Sequence, residues 1–289
     1  MTQVHDVHPV PAETGSEPGS LTEPYIAVLA VLAVLAAGVY LLASHRLRRR
    51  GDAWPWPRDV AFTTGCVTVA WAVSSELPGG PFTAHMTQHL IVGMAAPLLL
   101  VLARPLTLAL RSLPPGLVRQ GLLATAHARP VGLLLFPPVA ALVDIGGLWL
   151  LYRTGLFAAA QHQPLLHAVT HTHVLAAGLL FTFTVCQLDP VRRRWSLAVR
   201  GPALLCAGAG HAVLAKSLYA APPPGTAFTT SDLHTGAQLM YYGGDLVEIA
   251  LAVALAVQWY TITGRATARR TVKVRGPEPS RPSVSCCRP

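Results

Sequence analysis

The sequence predicts an all-α membrane protein, a polytopic bundle of seven transmembrane helices with the N-terminus outside and the C-terminus in the cytoplasm. Three observations predict it. Seven apolar runs each approach or exceed the length needed to cross a hydrocarbon core about 30 Å thick at about 1.5 Å per residue. Only 12% of the residues are charged and 52% are hydrophobic, about half the charge fraction of an ordinary soluble chain. Of the 22 basic residues, 20 fall on alternate sides of the expected crossings, which is the positive-inside pattern. The net charge of +9 does not point to nucleic acid, because the arginines stand between apolar runs rather than on one basic face.

Residues 1–23 are rich in Pro, Gly, Ser and acid (Asp6, Glu13, Glu17, Glu23) and have no basic stretch ahead of the first apolar run. They read as a disordered extracytoplasmic tail, not a cleaved signal peptide. The apolar runs follow at 24–44, 59–75, 84–103, 130–152, 164–187, 199–219 and 236–260, making 24–260 one transmembrane domain in the lipid bilayer. The loop after the third run (Arg104, Arg111, Arg119, Arg129, with Pro114-Pro115) mixes Leu and Val with spaced arginines, as expected of a segment lying along the inner membrane surface. Ala221-Pro222-Pro223-Pro224-Gly225 forces an extended outer stretch. Ser231-Asp232 then offers N-cap chemistry to the last helix. Residues 261–289 read as a basic, disordered cytoplasmic tail. The five cysteines show no CxxC spacing and read as small buried residues plus a tail pair, Cys286-Cys287.

The ionisable groups inside these runs collect in the outer half of the bilayer. His85 and His89 are four residues apart, so on a helix both imidazoles project from one face. His167 and His171 repeat that spacing in the fifth run, with His173 on another face. Asp144, His211 and Asp245 lie about 12–14 Å below the outer ends of their helices, and His162 and His234 sit in outer loops. Buried imidazoles in a low-dielectric layer need partners or a polar cavity. The set therefore reads as a metal site, with a proton path and interhelical hydrogen bonding as the alternatives. Imidazole suits zinc, copper, iron and nickel, and neighbouring thioethers (Met86, Met94, Met240) tilt the choice toward copper. His85, His89, His167, His171, His211 and His234 are the candidate ligands. Asp144, Asp245, Met86 and Gln88 are expected to stand behind them and orient them. Glu248, one turn below Asp245, either extends the polar track or bonds to a neighbouring helix.

His85-Met86-Thr87-Gln88-His89-Leu90, followed by Ala95-Ala96-Pro97, resembles the signature of the polytopic bacterial cytochrome c oxidase assembly factors. Ser112-Leu113-Pro114-Pro115, the His167/His171 pair, Asp189-Pro190 and Asp232 with Gly236 extend the likeness over about 59–260. The chain departs from that family at Asp232-Leu233-His234, where Asp-Gln-Gln is usual, and at Thr182 and Thr184, where aromatics are common. The resemblance implies a protein of the bacterial plasma membrane that is not an enzyme. It would associate with a cytochrome c oxidase subunit, and its copper-binding cluster would aid insertion of copper into that haem-copper oxidase. A copper or proton transporter, or a haem-binding membrane redox protein, remains the alternative reading.

Overall fold

The computed structural model describes residues 22–190 and 193–275. The expectations for the N-terminal tail up to residue 21 and for Cys286-Cys287 lie outside these residues. Regular structure among the described residues is helical. In chain order the helices are α1 (Thr22–Arg49), α2 (Trp56–Ser74), α3 (Pro81–His89), a π-helical turn (Leu90–Ala95), α4 (Ala96–Leu102), α5 (Pro105–Ser112), α6 (Leu117–His127) and α7 (Arg129–Leu134). They continue with α8 (Pro137–Arg153), α9 (Leu156–His162), α10 (Pro164–Cys186), α11 (Leu197–Ala220) and α12 (Thr230–Arg275).

Five stretches are long and apolar enough to cross a membrane: 25–49, 81–102, 164–186, 197–220 and 230–261. The pair α8 and α9, bent by 75°, makes a sixth if it counts as one broken span. Helix α2, expected as a span, has the length but falls short in apolarity because Arg58, Asp59 and several threonines dilute it. The run expected at 130–152 is interrupted. Pro137 and Pro138 deny the chain two backbone donors, so α7 stops at Leu134 and α8 starts afresh. The last helix continues past residue 260 to Arg275, through the first half of the stretch expected as a tail.

The span α3–π–α4 is the centre of the bundle, touching α2, α10 and α12, while α8 packs on α10 and α11, and α11 on α12. Its π-helical turn has an identifiable cause. Pro97 has no N–H to return to the carbonyl of Gly93, and its ring crowds that carbonyl, so the helix widens just ahead of it. Helix α10 presses on the widened turn. A Cβ at Gly178 would stand 1.9 Å from the Gly93 carbonyl oxygen, so only glycine permits this crossing.

The bundle has two unlike ends. At the histidine end an apolar cluster is built on Phe82, Met86, Tyr152, Phe157, Leu218 and Met240. At the arginine end another is built on Val101, Ala140, Phe181, Val185, Leu204 and Leu251. Two aspartates brace the bundle by accepting hydrogen bonds from the first turns of other helices. Asp232 accepts from the N–H groups of Phe82 and Thr83 at 2.9 and 3.0 Å. Asp189 accepts from the Thr107 N–H at 2.7 Å and from the Thr107 hydroxyl. The expectation that Asp232 caps its own helix is thereby corrected: the Thr229 hydroxyl accepts the Asp232 N–H at 3.3 Å, and the Asp232 carboxylate serves α3 instead. Helix α1 turns Val31, Leu35, Val39 and Leu42 outward, an apolar surface of the kind a bilayer covers. Leu117 and Val118 of the short α6 are likewise exposed, as befits a segment lying on a membrane surface.

Candidate functional site

Helices α3, α8, α9 and α10 enclose a cavity of about 510 Å³ at the histidine end, into which His85, His89, His162, His167 and His171 all face. The i, i+4 spacings put the members of each pair on one helix face, and the crossing of α10 over the π-helical turn at Gly178 brings the two faces together. The His167 and His171 ring centres are 4.2 Å apart, and His171 stands 5.9 Å from His85. His85 Nε2 shares a hydrogen bond of 2.9 Å with the hydroxyl of Tyr152. Gln88 also lines the cavity and donates to the Ala72 carbonyl of α2 at 3.1 Å.

His89 lines a second, deeper void of about 20 Å³, together with Asp144, His211, Glu248, Thr182 and Met94. Its ring lies 6.1 Å from that of His211 and 6.2 Å from that of Tyr152. All four ring nitrogens of His89 and His211 are buried without a hydrogen-bond partner. The Nδ1 of His211 faces Glu248 Oε1 at 3.7 Å.

The six candidate ligands therefore do not form one centre. His85, His167 and His171 share the outer cavity, His211 belongs to the deeper void, and His89 borders both. His234 is elsewhere, its ring stacked on Tyr219 at 3.9 Å. Met86 has no exposed surface and packs in the apolar cluster: a thioether pointed into a full core fills space and does not soften a ligand set. Asp144 lines the deeper void, whereas Asp245 lines neither cavity and Glu248 occupies the place beside His211.

Sequence reasoning missed Tyr152, whose hydroxyl bonds His85 and whose ring lies beside that of His89. A signal for it exists: Asp144, Leu148 and Tyr152 recur every four residues along α8, so one helix face runs from the deeper void to the outer cavity.

Residues 38–261 match the family of cytochrome c oxidase caa3 assembly factors. The chain belongs to that family. Uncharacterised proteins of Mycobacterium leprae (30% identical), Mycobacterium bovis and Mycobacterium tuberculosis (31% identical each) align with it over 248 residues. These alignments cover 78% of this chain and 37% of each relative, so the chain spans little more than a third of their length. No solved structure matches.

Copper is the ion expected from the sequence. The donors around the outer cavity are of the right type, since neutral imidazole binds copper readily. Among the described residues, however, no group of three or more His, Cys, Asp or Glu side chains is arranged to hold a metal ion. The imidazoles share a cavity without converging on one point, so any ion held by three of them requires their rings to turn.

Proposed function

We propose that this protein helps assemble a haem-copper cytochrome c oxidase by receiving copper in the outer cavity and releasing it to an oxidase subunit, with no reaction of its own. The observation that carries the reading is the facing of His85, His167 and His171 into one 510 Å³ cavity in a member of an oxidase assembly family. Donors that gather only around an arriving ion form a labile site, and lability is what a carrier needs when an acceptor must compete for the cargo. The seven-crossing topology, with α2 as a span and the arginine end in the cytoplasm of a bacterial plasma membrane, belongs to this proposal. It opens the cavity toward the outer face.

The transporter reading requires polar groups along the whole length of the bundle. Beyond Glu248 the interior is the apolar cluster of Val101, Phe181, Val185 and Leu251, and the polar groups past it, Arg200 and Gln258, are bonded to each other and to the Val185 and Cys186 carbonyls, which favours a pocket closed at the arginine end.

The test is a deletion strain complemented with wild type, His85→Ala or His171→Ala, with copper and haem measured separately in the purified oxidase. Oxidase copper is expected to fall severalfold in the deletion and in both variants while haem stays. Unchanged copper in the deletion strain would remove the assembly role, and unchanged copper in the two variants alone would remove the cavity from it.

Tyr152→Phe probes how the site is held. For His85 to bind an ion through Nδ1, its Nε2 must carry the proton, and the Tyr152 oxygen accepts it. Removing the hydroxyl is expected to weaken copper(I) retention about tenfold, read by competition with a chelator. The unfolding temperature should hardly move, because a single neutral hydrogen bond contributes about 1 kcal/mol. Unchanged retention would show that the hydroxyl does not set the tautomer.

A further inference from the structure

The deeper void has features that the outer cavity does not explain. His89 and His211 are 95% and 99% buried by their exposures of 5% and 1%, and none of their ring nitrogens has a hydrogen-bond partner. Four buried nitrogens without hydrogen bonds, one of them facing only the Glu248 carboxylate at 3.7 Å, are costly in a protein interior, and more so inside a bilayer. The backbone has been shaped around them. A Cβ at Gly244 would stand 2.2 Å from His211 Cε1, and one at Gly208 would stand 2.2 Å from Glu248 Oε2. Two glycines on adjacent helices thus make room for this imidazole and this carboxylate. The void of about 20 Å³ exceeds the ~10–15 Å³ that one water-sized sphere needs.

We infer that His89 and His211 form a second, deeper station for a single copper(I) ion, with Glu248 orienting His211. The proposal rests on the reading of copper as cargo and adds where the ion goes after the outer cavity. Three features select this ion. Two imidazoles holding one ion in line at metal–nitrogen distances of about 2.0 Å have ring centres somewhat over ~6 Å apart, and these two are 6.1 Å apart with their planes 27° from parallel. Zinc in a protein usually takes four ligands, whereas copper(I) is satisfied by two nitrogens in line, so the small donor number favours copper(I). The thioether of Met94, which lines the same void, is a further soft donor. Glu248 Oε1, 3.7 Å from His211 Nδ1, is placed to accept the proton on that nitrogen, leaving Nε2 for the ion. The carboxylate also balances the single positive charge. His89 borders both cavities, so an ion leaving His85 meets His89 before it meets His211.

The experiment titrates the purified full-length protein in detergent with copper(I) under reducing conditions against a competing chelator, for wild type, His171→Ala, His211→Ala and Glu248→Gln. The expected result is two ions per wild-type chain and one in each histidine variant. The ion retained by His171→Ala should show two nitrogen neighbours by X-ray absorption. Glu248→Gln, which keeps the side-chain volume against Gly208, should weaken one of the two ions about tenfold. One ion in wild type, still held by His211→Ala, would overturn the deeper station and leave the outer one standing. No ion in wild type would overturn the copper cargo itself. Loss of both ions in His211→Ala, with Glu248→Gln binding both as wild type does, would also overturn the deeper station, since the first effect would then be a folding defect.

Discussion

Gly178→Ala is expected to abolish the cooperative unfolding transition of the purified protein, or to prevent its accumulation in the membrane. The added Cβ would meet the Gly93 carbonyl oxygen at 1.9 Å and its carbon at 2.9 Å. Neither is the end of a flexible side chain, so relief requires α10 to move away from the π-helical turn. Overpacking of this kind costs about 1–3 kcal/mol where side chains can yield and more where backbone must. The same displacement carries His167 and His171 away from His85, so copper retention should fall together with stability. Gly38→Ala, on the lipid-facing helix α1 with no neighbour within 4 Å of the new Cβ, is the matched control and should unfold as wild type does. The measurement is thermal unfolding in detergent, followed by the fluorescence of a thiol-reactive dye at the buried Cys66 and Cys186 in a background where the exposed Cys206 and the tail pair Cys286 and Cys287 are replaced by serine. A Gly178→Ala protein as stable as Gly38→Ala would mean that the crossing is not as tight as the structure has it.

That crossing also marks where sequence reasoning stops. Apolar run length found five of the seven expected spans, because the bilayer imposes it on every crossing helix alike. The i, i+4 spacing of His85/His89 and His167/His171 found the outer histidines because the residue pairs lie on one face of any α-helix. Neither rule says which face meets which. The meeting is decided by Gly178 against Gly93, a contact between helices 85 residues apart in the chain, and by a π-helical turn that breaks the α period just after His89. Pro97 was visible, but a proline within a span signals only a disturbance, whether kink, break or widened turn. His234 was grouped with the other histidines by depth alone, and depth cannot separate opposite faces of one helix: its ring went to Tyr219. Met86 failed as a copper-softening residue for the same reason, since the residue after His85 necessarily points about 100° away from it.

The separation of the histidines into two cavities follows from helix height. His85, His171 and Tyr152 sit within about one turn of each other near the histidine end. His211 and Glu248 come from helices that enter from opposite ends and meet lower in the bundle. His89, one turn below His85, borders both cavities. On the proposed copper-carrying role such a ladder is an advantage, because exchange between neighbouring imidazoles never leaves the ion without a ligand.

Asp232→Ala is expected to lower stability by about 2–4 kcal/mol and to lose the outer copper ion at the same time. The first N–H groups of α3 have no acceptor within their own helix, and Pro81 at the start has no N–H at all. The carboxylate of Asp232 supplies the acceptor for Phe82 and Thr83, and takes the Thr83 hydroxyl at 2.6 Å. Loss of a charged acceptor from a helix start costs about 0.5–2 kcal/mol as a cap. Phe82 and Thr83 are buried, at 0% and 9% exposure, so two stranded N–H groups at about 1–2 kcal/mol each give the larger figure expected here. His85 begins one turn later, so fraying of this end moves the outer histidine directly. Asp232→Asn, which keeps one acceptor oxygen but loses the charge at the positive end of the helix dipole, should fall between wild type and alanine. Thr229→Ala removes only the cap of α12 itself and should cost the least. Unfolding and copper stoichiometry measured on the three variants give an ordering, alanine worst, asparagine intermediate and Thr229→Ala mildest. If Thr229→Ala proves the most damaging of the three, Asp232 belongs to its own helix after all and the brace between α12 and α3 is not what positions His85.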